Sequence, residues 1–201
     1  GMMLPPGLSF TAVSDKALAA SKTAKLRRSY FSWEDMLANN ANGFFPFTPA
    51  TGLLYGLAEA IDMINEEGLE NVFARHERLA EATRRAVRAW GLETQCRDPK
   101  FYSPAVTTVI MPEGHNADAY RKIVLDNFNM SLGAGLNKIK GKAFRIGHLG
   151  HQNDLMLMGA LAGIEMSLDL AEVPHRAGGV AAAMEVLKGR EAASMLKAVV
   201  A

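Results

Sequence analysis

The residues best suited to chemistry stand in the stretch Phe144-Arg145-Ile146-Gly147-His148-Leu149-Gly150. One arginine lies between apolar neighbours, and glycine follows within two positions. Ala143, Phe144 and Ile146 read as a short buried strand. A guanidinium on such a strand must meet an anion, because an unpaired buried charge is too costly to keep. Two partners are open. One is an aspartate or glutamate of the chain, in a structural ion pair. The other is a ligand carboxylate, whose two oxygens match the planar fork of arginine. Gly147 and Gly150 would let a ligand or a loop approach closely.

The remaining constellations carry less. Pro46-Phe47-Thr48-Pro49 is stiff, since each proline fixes its own φ and restrains the residue before it, so Thr48 is expected as a well-held hydroxyl. Gly133-Ala134-Gly135 lacks the third glycine of a dinucleotide loop and is followed by no long helix. His148 and His151 stand three apart without a third metal-type ligand. Cys96 has no histidine near it in sequence and lies in a polar loop, which argues against a nucleophile. There is no Gly-x-Ser-x-Gly elbow.

The elements that must position these groups follow from periodicity. Pro5-Pro6-Gly7 turns into an expected strand over Leu8 to Val13. Ser14 and Asp15 offer caps for a helix from about Lys16 into the 20s, and Lys22 to Arg28 reads as its solvated basic end. Residues 29–50 read as an irregular aromatic loop with turns at Asn39-Asn40 and Asn42-Gly43. Leu54, Leu57, Ile61 and Ile64 mark a helix that Gly68 stops. A second helix follows, with Leu69, Val72, Phe73, His76, Leu79, Ala80, Thr83, Val87 and Trp90 inward. Glu70, Arg75, Glu77, Arg78, Glu81, Arg84, Arg85 and Arg88 then form a solvated charged face.

Beyond Gly91 the pattern is strand at Ala105 to Met111, helix at Asn116 to Phe128, and a short strand at Asn129 to Leu132. A glycine loop at 133–135 leads to the strand at Ala143 to Gly147, and a methionine-rich core helix spans Asn153 to Leu170. That order is an α+β layer, with helices covering one face of a small antiparallel sheet. Val180 to Ala201 reads as a helical tail packed on the outside.

Composition bounds the rest. The chain has 201 residues, 49% of them hydrophobic, a formal charge of +1 and one cysteine. That supports a real core and excludes an electrostatic nucleic-acid binder, a disulfide framework and a cysteine-rich metal site. No apolar run is long enough for a bilayer and the first residues do not read as a signal peptide, so the expected compartment is cytoplasmic.

Seven segments together resemble the C-terminal half of the class V (fold type I) pyridoxal-phosphate aminotransferases. Within them the likeness is to the serine–glyoxylate and alanine–glyoxylate group. The segments are Leu4-Pro5-Pro6-Gly7-Leu8-Ser9, Pro46-Phe47-Thr48-Pro49, Leu53-Leu54-Tyr55-Gly56-Leu57, Glu67-Gly68-Leu69-Glu70-Asn71, Ala74-Arg75-His76, Ser131-Leu132-Gly133-Ala134-Gly135-Leu136-Asn137-Lys138 and the Arg145 stretch. They span nearly the whole chain in the family's order.

The resemblance implies an α/β pyridoxal-phosphate-transferase fragment. Residues 1–50 would be the end of the large cofactor-binding domain and a loop, and 51–90 the connecting helices. Residues 91–175 would be the small α+β C-terminal domain, an antiparallel sheet covered by helices, and 176–201 a helical tail. Arg145 matches the arginine that binds the substrate α-carboxylate. Thr48 matches a threonine near the cofactor phosphate, reaching over from the neighbouring subunit. A tyrosine that often accompanies it has only Phe45 and Phe47 as counterparts.

By the same resemblance the Schiff-base lysine, shortly before the Pro-Pro-Gly turn, would fall immediately before Gly1. Lys16 and Lys22 stand at the wrong place relative to that turn. The expected activity is amino transfer between serine (or alanine) and glyoxylate, with pyridoxal phosphate as cofactor and a homodimer or higher homo-oligomer as the assembly. The chain alone is expected to be inactive, the cofactor not covalently bound, and residues 2–50 rearranged, swapped or buried in an oligomer. The alternatives are a non-catalytic remnant acting only as a dimerisation module, and a pyridoxamine–pyruvate specificity. Cysteine desulfurase, a relative on the same fold, is disfavoured because Cys96 is not in an active-site loop of that kind.

Overall fold

A computed structural model describes residues 2–189. They form two compact units, Met2–Met63 and the residues from Ile64 onward.

The first unit is helical. Helix α1 (Asp15–Thr23) begins at Ser14, whose hydroxyl accepts from Ala17 N at 3.3 Å, the orphan-donor satisfaction expected of a serine cap. Helix α2 (Trp33–Asn40) occupies part of the stretch expected to be irregular. Its cap Ser32 and its first-turn acids Glu34 and Asp35 were the signal, hidden among the flanking aromatics and turn residues. Helix α3 (Thr51–Glu67) opens here, with Thr51 as its first residue. Leu4 packs against Gly56, and Gly7 against Leu53. A Cβ on Gly56 would stand 2.7 Å from Leu4 Cδ2.

The expected strand over Leu8 to Val13 does not form. A strand needs a neighbour for its main-chain donors and acceptors, and the described residues of this unit supply none. α1 and α2 bury no residue, and Phe10, Leu26, Phe31 and Tyr55 are each more than 60% exposed.

The second unit holds the core. Helix α4 (Leu69–Trp90) runs from Gly68 to Gly91, whose φ of 78° gives the left-handed stop that a glycine allows without strain. It buries Leu79, Ala80, Ala82, Thr83, Ala86, Val87 and Trp90. Thr83 Oγ1 donates to Leu79 O at 2.9 Å, a bond back to the preceding turn that satisfies the buried hydroxyl. Arg84 departs from the expected solvated face: it is 6% exposed, and its guanidinium lies 4.7 Å over the Tyr102 ring.

Four antiparallel strands follow: β1 (Glu93–Thr94), β2 (Val106–Ile110), β3 (Gly133–Ala134) and β4 (Ala143–Gly147), in the order β1-β2-β4-β3. The short strand expected at Asn129 to Leu132 is therefore displaced into the glycine loop, where Gly133 pairs with Arg145 and Ala134 with Phe144. β1 was not anticipated; two residues give too short a pattern to read. Helices α5 (Ala117–Phe128) and α6 (Asp154–Leu170) are capped by Asn116 and Asn153.

Helix α7 (Gly179–Lys188) buries Gly179, Ala183 and Leu187 in the same core, so this part of the tail is not an external appendage. Trp90 lies directly on Gly179. The remainder of the expected tail helix lies outside the described residues.

Side chains alternate across the sheet. Thr107, Val109, Phe144 and Ile146 face the helices and are buried. Thr108 and Arg145, paired across β2 and β4, share the opposite face.

Candidate functional site

That alternation changes the physics of Arg145. Phe144 and Ile146 are buried on the helix side of the strand, while Arg145, on the other face, is half-buried. Its Nε donates to Ala134 O at 2.8 Å, across the β3–β4 pair. The side chain lies over Gly133, where a Cβ would stand 3.0 Å from Arg145 Cβ and 3.1 Å from Nε. The Gly133-Ala134-Gly135 run thus makes room for, and orients, the arginine. Among the described residues Arg145 forms no ion pair, so of the two expected partners the structural carboxylate is not found. Both Nη groups remain for an anion arriving from the open face.

The loop after β4 is pinned from two sides. From the sheet side, His148 N donates to Ala105 O at 3.0 Å. The buried His148 ring donates through Nδ1 to Pro104 O at 2.9 Å, leaving Nε2 to accept from Thr107 Oγ1 at 2.9 Å. Burial holds this imidazole down to a pKa of about 4, helped by the nearby Arg84 and His76, so it is neutral near pH 7. His148 is therefore a structural ring. Among the described residues no group of three metal-type ligands exists around it or elsewhere.

From the helix side come Arg75 and His76 on α4. Arg75 was expected on the solvated face and is half-buried. Its Nε and Nη2 take the two oxygens of Glu67 at 2.6 and 2.8 Å. Its Nη1 donates to Gly150 O at 2.8 Å and Gln152 O at 3.0 Å. The hydrogen bond from Arg75 holds the Glu67 carboxyl below the ordinary glutamate value. His76 Nε2 accepts from Gly150 N at 3.0 Å, while Nδ1 donates to Val72 O at 2.7 Å. These ties join residues more than seventy positions apart. The sequence showed the parts, in Glu67-Gly68 and Arg75-His76, but no pattern showed the pairing.

Cys96 is half-buried, and its thiol donates to Asp98 O at 3.5 Å without a histidine partner. It borders a cleft of about 160 Å³ beside Arg84 and Tyr102.

No family model matches the chain. Individual proteins do. The serine–glyoxylate aminotransferase of Methylorubrum extorquens is 49% identical over 194 residues, which is 94% of this chain and 48% of that protein. The L-aspartate–glyoxylate aminotransferase of Paracoccus denitrificans is 43% identical over 98% of this chain and 50% of its own length. The crystal structure of pyridoxamine–pyruvate aminotransferase from Mesorhizobium loti superposes with a TM-score of 0.77 at 32% identity, covering 87% of this chain and 46% of that one. The chain matches the C-terminal portion of the class V aminotransferases.

The chain spans about half the length of the curated relatives it matches. The full-length class V aminotransferases that it matches are pyridoxal-phosphate-dependent. Arg145 lies in the second unit as described. Thr48, in the first unit, is exposed between Pro46 and Pro49, and its hydroxyl has no hydrogen-bond partner among the described residues. Lys16 and Lys22 are exposed on α1. No helix among the described residues is long and apolar enough to cross a membrane.

Proposed function

We propose that this chain is the C-terminal part of a pyridoxal-phosphate-dependent aminotransferase acting on serine, or alanine, with glyoxylate, and that Arg145 holds the substrate carboxylate. The observation that carries the reading is the guanidinium of Arg145. It is oriented by Ala134 O and seated over Gly133, and no carboxylate of the described residues neutralises it. A bidentate arginine–carboxylate pair fixes both the position and the plane of the substrate. That positioning is what sets a Cα–H bond for cleavage.

The chain's own groups fit part of the cofactor's needs. The free hydroxyl of Thr48, stiffened by flanking prolines, suits a phosphate oxygen. When bound, pyridoxal phosphate supplies the electron sink for amino transfer. On this reading no lysine of the chain carries it, so the polypeptide by itself is inactive and does not hold the cofactor covalently.

The exposed Phe10, Leu26, Phe31 and Tyr55 of the first unit support a homodimer or higher homo-oligomer that covers them. They equally favour the second reading, a non-catalytic module that retains only subunit contacts.

Fusion behind the N-terminal half of the Methylorubrum relative separates the two readings. The expected result is serine-to-glyoxylate amino transfer by the fusion, lost on Arg145→Ala. The isolated chain should show no turnover and no borohydride-reducible visible band. Turnover by the isolated chain, or a soluble and folded fusion without activity, overturns the reading.

A further inference from the structure

We infer that Arg75 is a positioning residue for the carboxylate clamp, acting through the Gly150–Gln152 loop on the strand that carries Arg145. The inference rests on the proposed role of Arg145 and extends it to residues that touch no substrate.

Four of the five N–H groups of Arg75 are engaged, and they are divided between two jobs. Nε and Nη2 grip both oxygens of Glu67, the last residue of α3. This pair anchors the guanidinium in one plane. Nη1 then reaches two main-chain carbonyls, Gly150 O and Gln152 O. His76, the next residue on α4, holds Gly150 N. Both main-chain groups of Gly150 are thus tied to one helical turn. Gly150 has φ +85°, a conformation that a side chain would strain, so the loop bends at the residue the helix grips.

The other end of the loop is fastened by His148 to Ala105, Pro104 and Thr107. Arg145 stands three residues before His148 on a strand whose last pair is Val106 with Gly147. The exit of β4 is therefore set on the sheet side by His148 and on the helix side by Arg75 and His76. An exposed ion pair would be worth little and would not need this geometry. A lysine has three donors for the four bonds made here and lacks the planar fork that takes both carboxylate oxygens.

The test measures glyoxylate binding to the full chain by NMR titration of arginine Nε–H signals, together with amide hydrogen exchange of residues 147–152. The variants are Arg75→Lys, Arg75→Ala, Glu67→Gln, Arg145→Ala and, as a stability control, Glu165→Gln, which loosens the start of α7 by weakening its bonds to Gly178 N and Val180 N. Arg75→Lys is expected to keep the fold, speed loop exchange and weaken glyoxylate about tenfold or more. Glu67→Gln should fall between Arg75→Lys and the wild type. Glu165→Gln should stay within about twofold in affinity, whatever its stability loss.

Affinity within about twofold in both Arg75 variants, with Arg145→Ala abolishing binding, overturns the inference and leaves the clamp standing. Unchanged binding in Arg145→Ala overturns the clamp, and the inference with it. Loss of affinity in Glu165→Gln equal to that in Arg75→Lys reduces Arg75 to a general stabiliser and also overturns the inference.

Discussion

Gly133 lies beneath Arg145 across the β3–β4 pair, so closely that a methyl group on Gly133 would stand 3.0 Å from Arg145 Cβ and 3.1 Å from its Nε. The arginine and the glycine are one feature: the side chain of Arg145 can lie there because the facing position has none. Gly133→Ala should push the guanidinium off Ala134 O while leaving the sheet paired. The expected outcome is glyoxylate binding weakened by about tenfold and stability lowered by about 1–3 kcal/mol, since Nε can swing aside but Arg145 Cβ moves only with the β4 backbone. Calorimetric titration and urea unfolding of the same variant check both halves.

Arg145→Lys separates charge from shape. It keeps the positive charge on the open face but loses the fork and the orienting bond from Nε. A charge-assisted hydrogen bond contributes roughly 1.5–3 kcal/mol, so binding of a carboxylate should fall about ten- to a hundredfold, with little effect on stability. Affinity equal to the wild type would show that Arg145 acts only as a diffuse charge.

His148 makes stability depend on pH. Its folded pKa of about 4 lies below the unfolded value of about 6.5, because burial opposes the charged ring. Between those values the unfolded chain binds more protons than the folded one. Stability is therefore full above about pH 6.5 and is lost as the pH falls towards 4, by up to about 3 kcal/mol. Urea midpoints measured from pH 7 to 4 should show this acid limb, and His148→Gln should flatten it. Thr107→Val removes the donor to Nε2 and should cost about 1–3 kcal/mol at pH 7.

Gly179→Ala tests how α7 joins the core. A Cβ there would overlap Nε1 and Cε2 of the fully buried Trp90 ring. Trp90 has no free space to move into, so the helix must shift. Overpacking of this kind costs about 1–3 kcal/mol, readable as a lower urea midpoint and faster amide exchange in residues 179–188.

The local elements were legible because each rests on short-range rules. The cap at Ser14, the stop at Gly68 and the periodicity of α4 and α6 all act within one or two turns. So did the strand that carries Arg145, and the seven ordered segments that identified the family. α2 was missed because its cap lay among aromatics that read as loop. β3 was misplaced because two glycine-rich residues carry no pattern until a partner strand defines them.

The sequence by itself determined which residues could do chemistry, and that the carrier of Arg145 is a strand. Only the tertiary structure decided which way Arg145 faces, because alternation assigns a face only once the helices have covered the other one. The same holds for Arg75, Arg84 and His76. On the helix they read as two charges for solvent and one ring for the core. In the fold Arg75 and His76 hold the loop after β4, and Arg84 is buried against Tyr102. Hydrogen bonds across more than seventy residues are set by packing, and no local pattern encodes them.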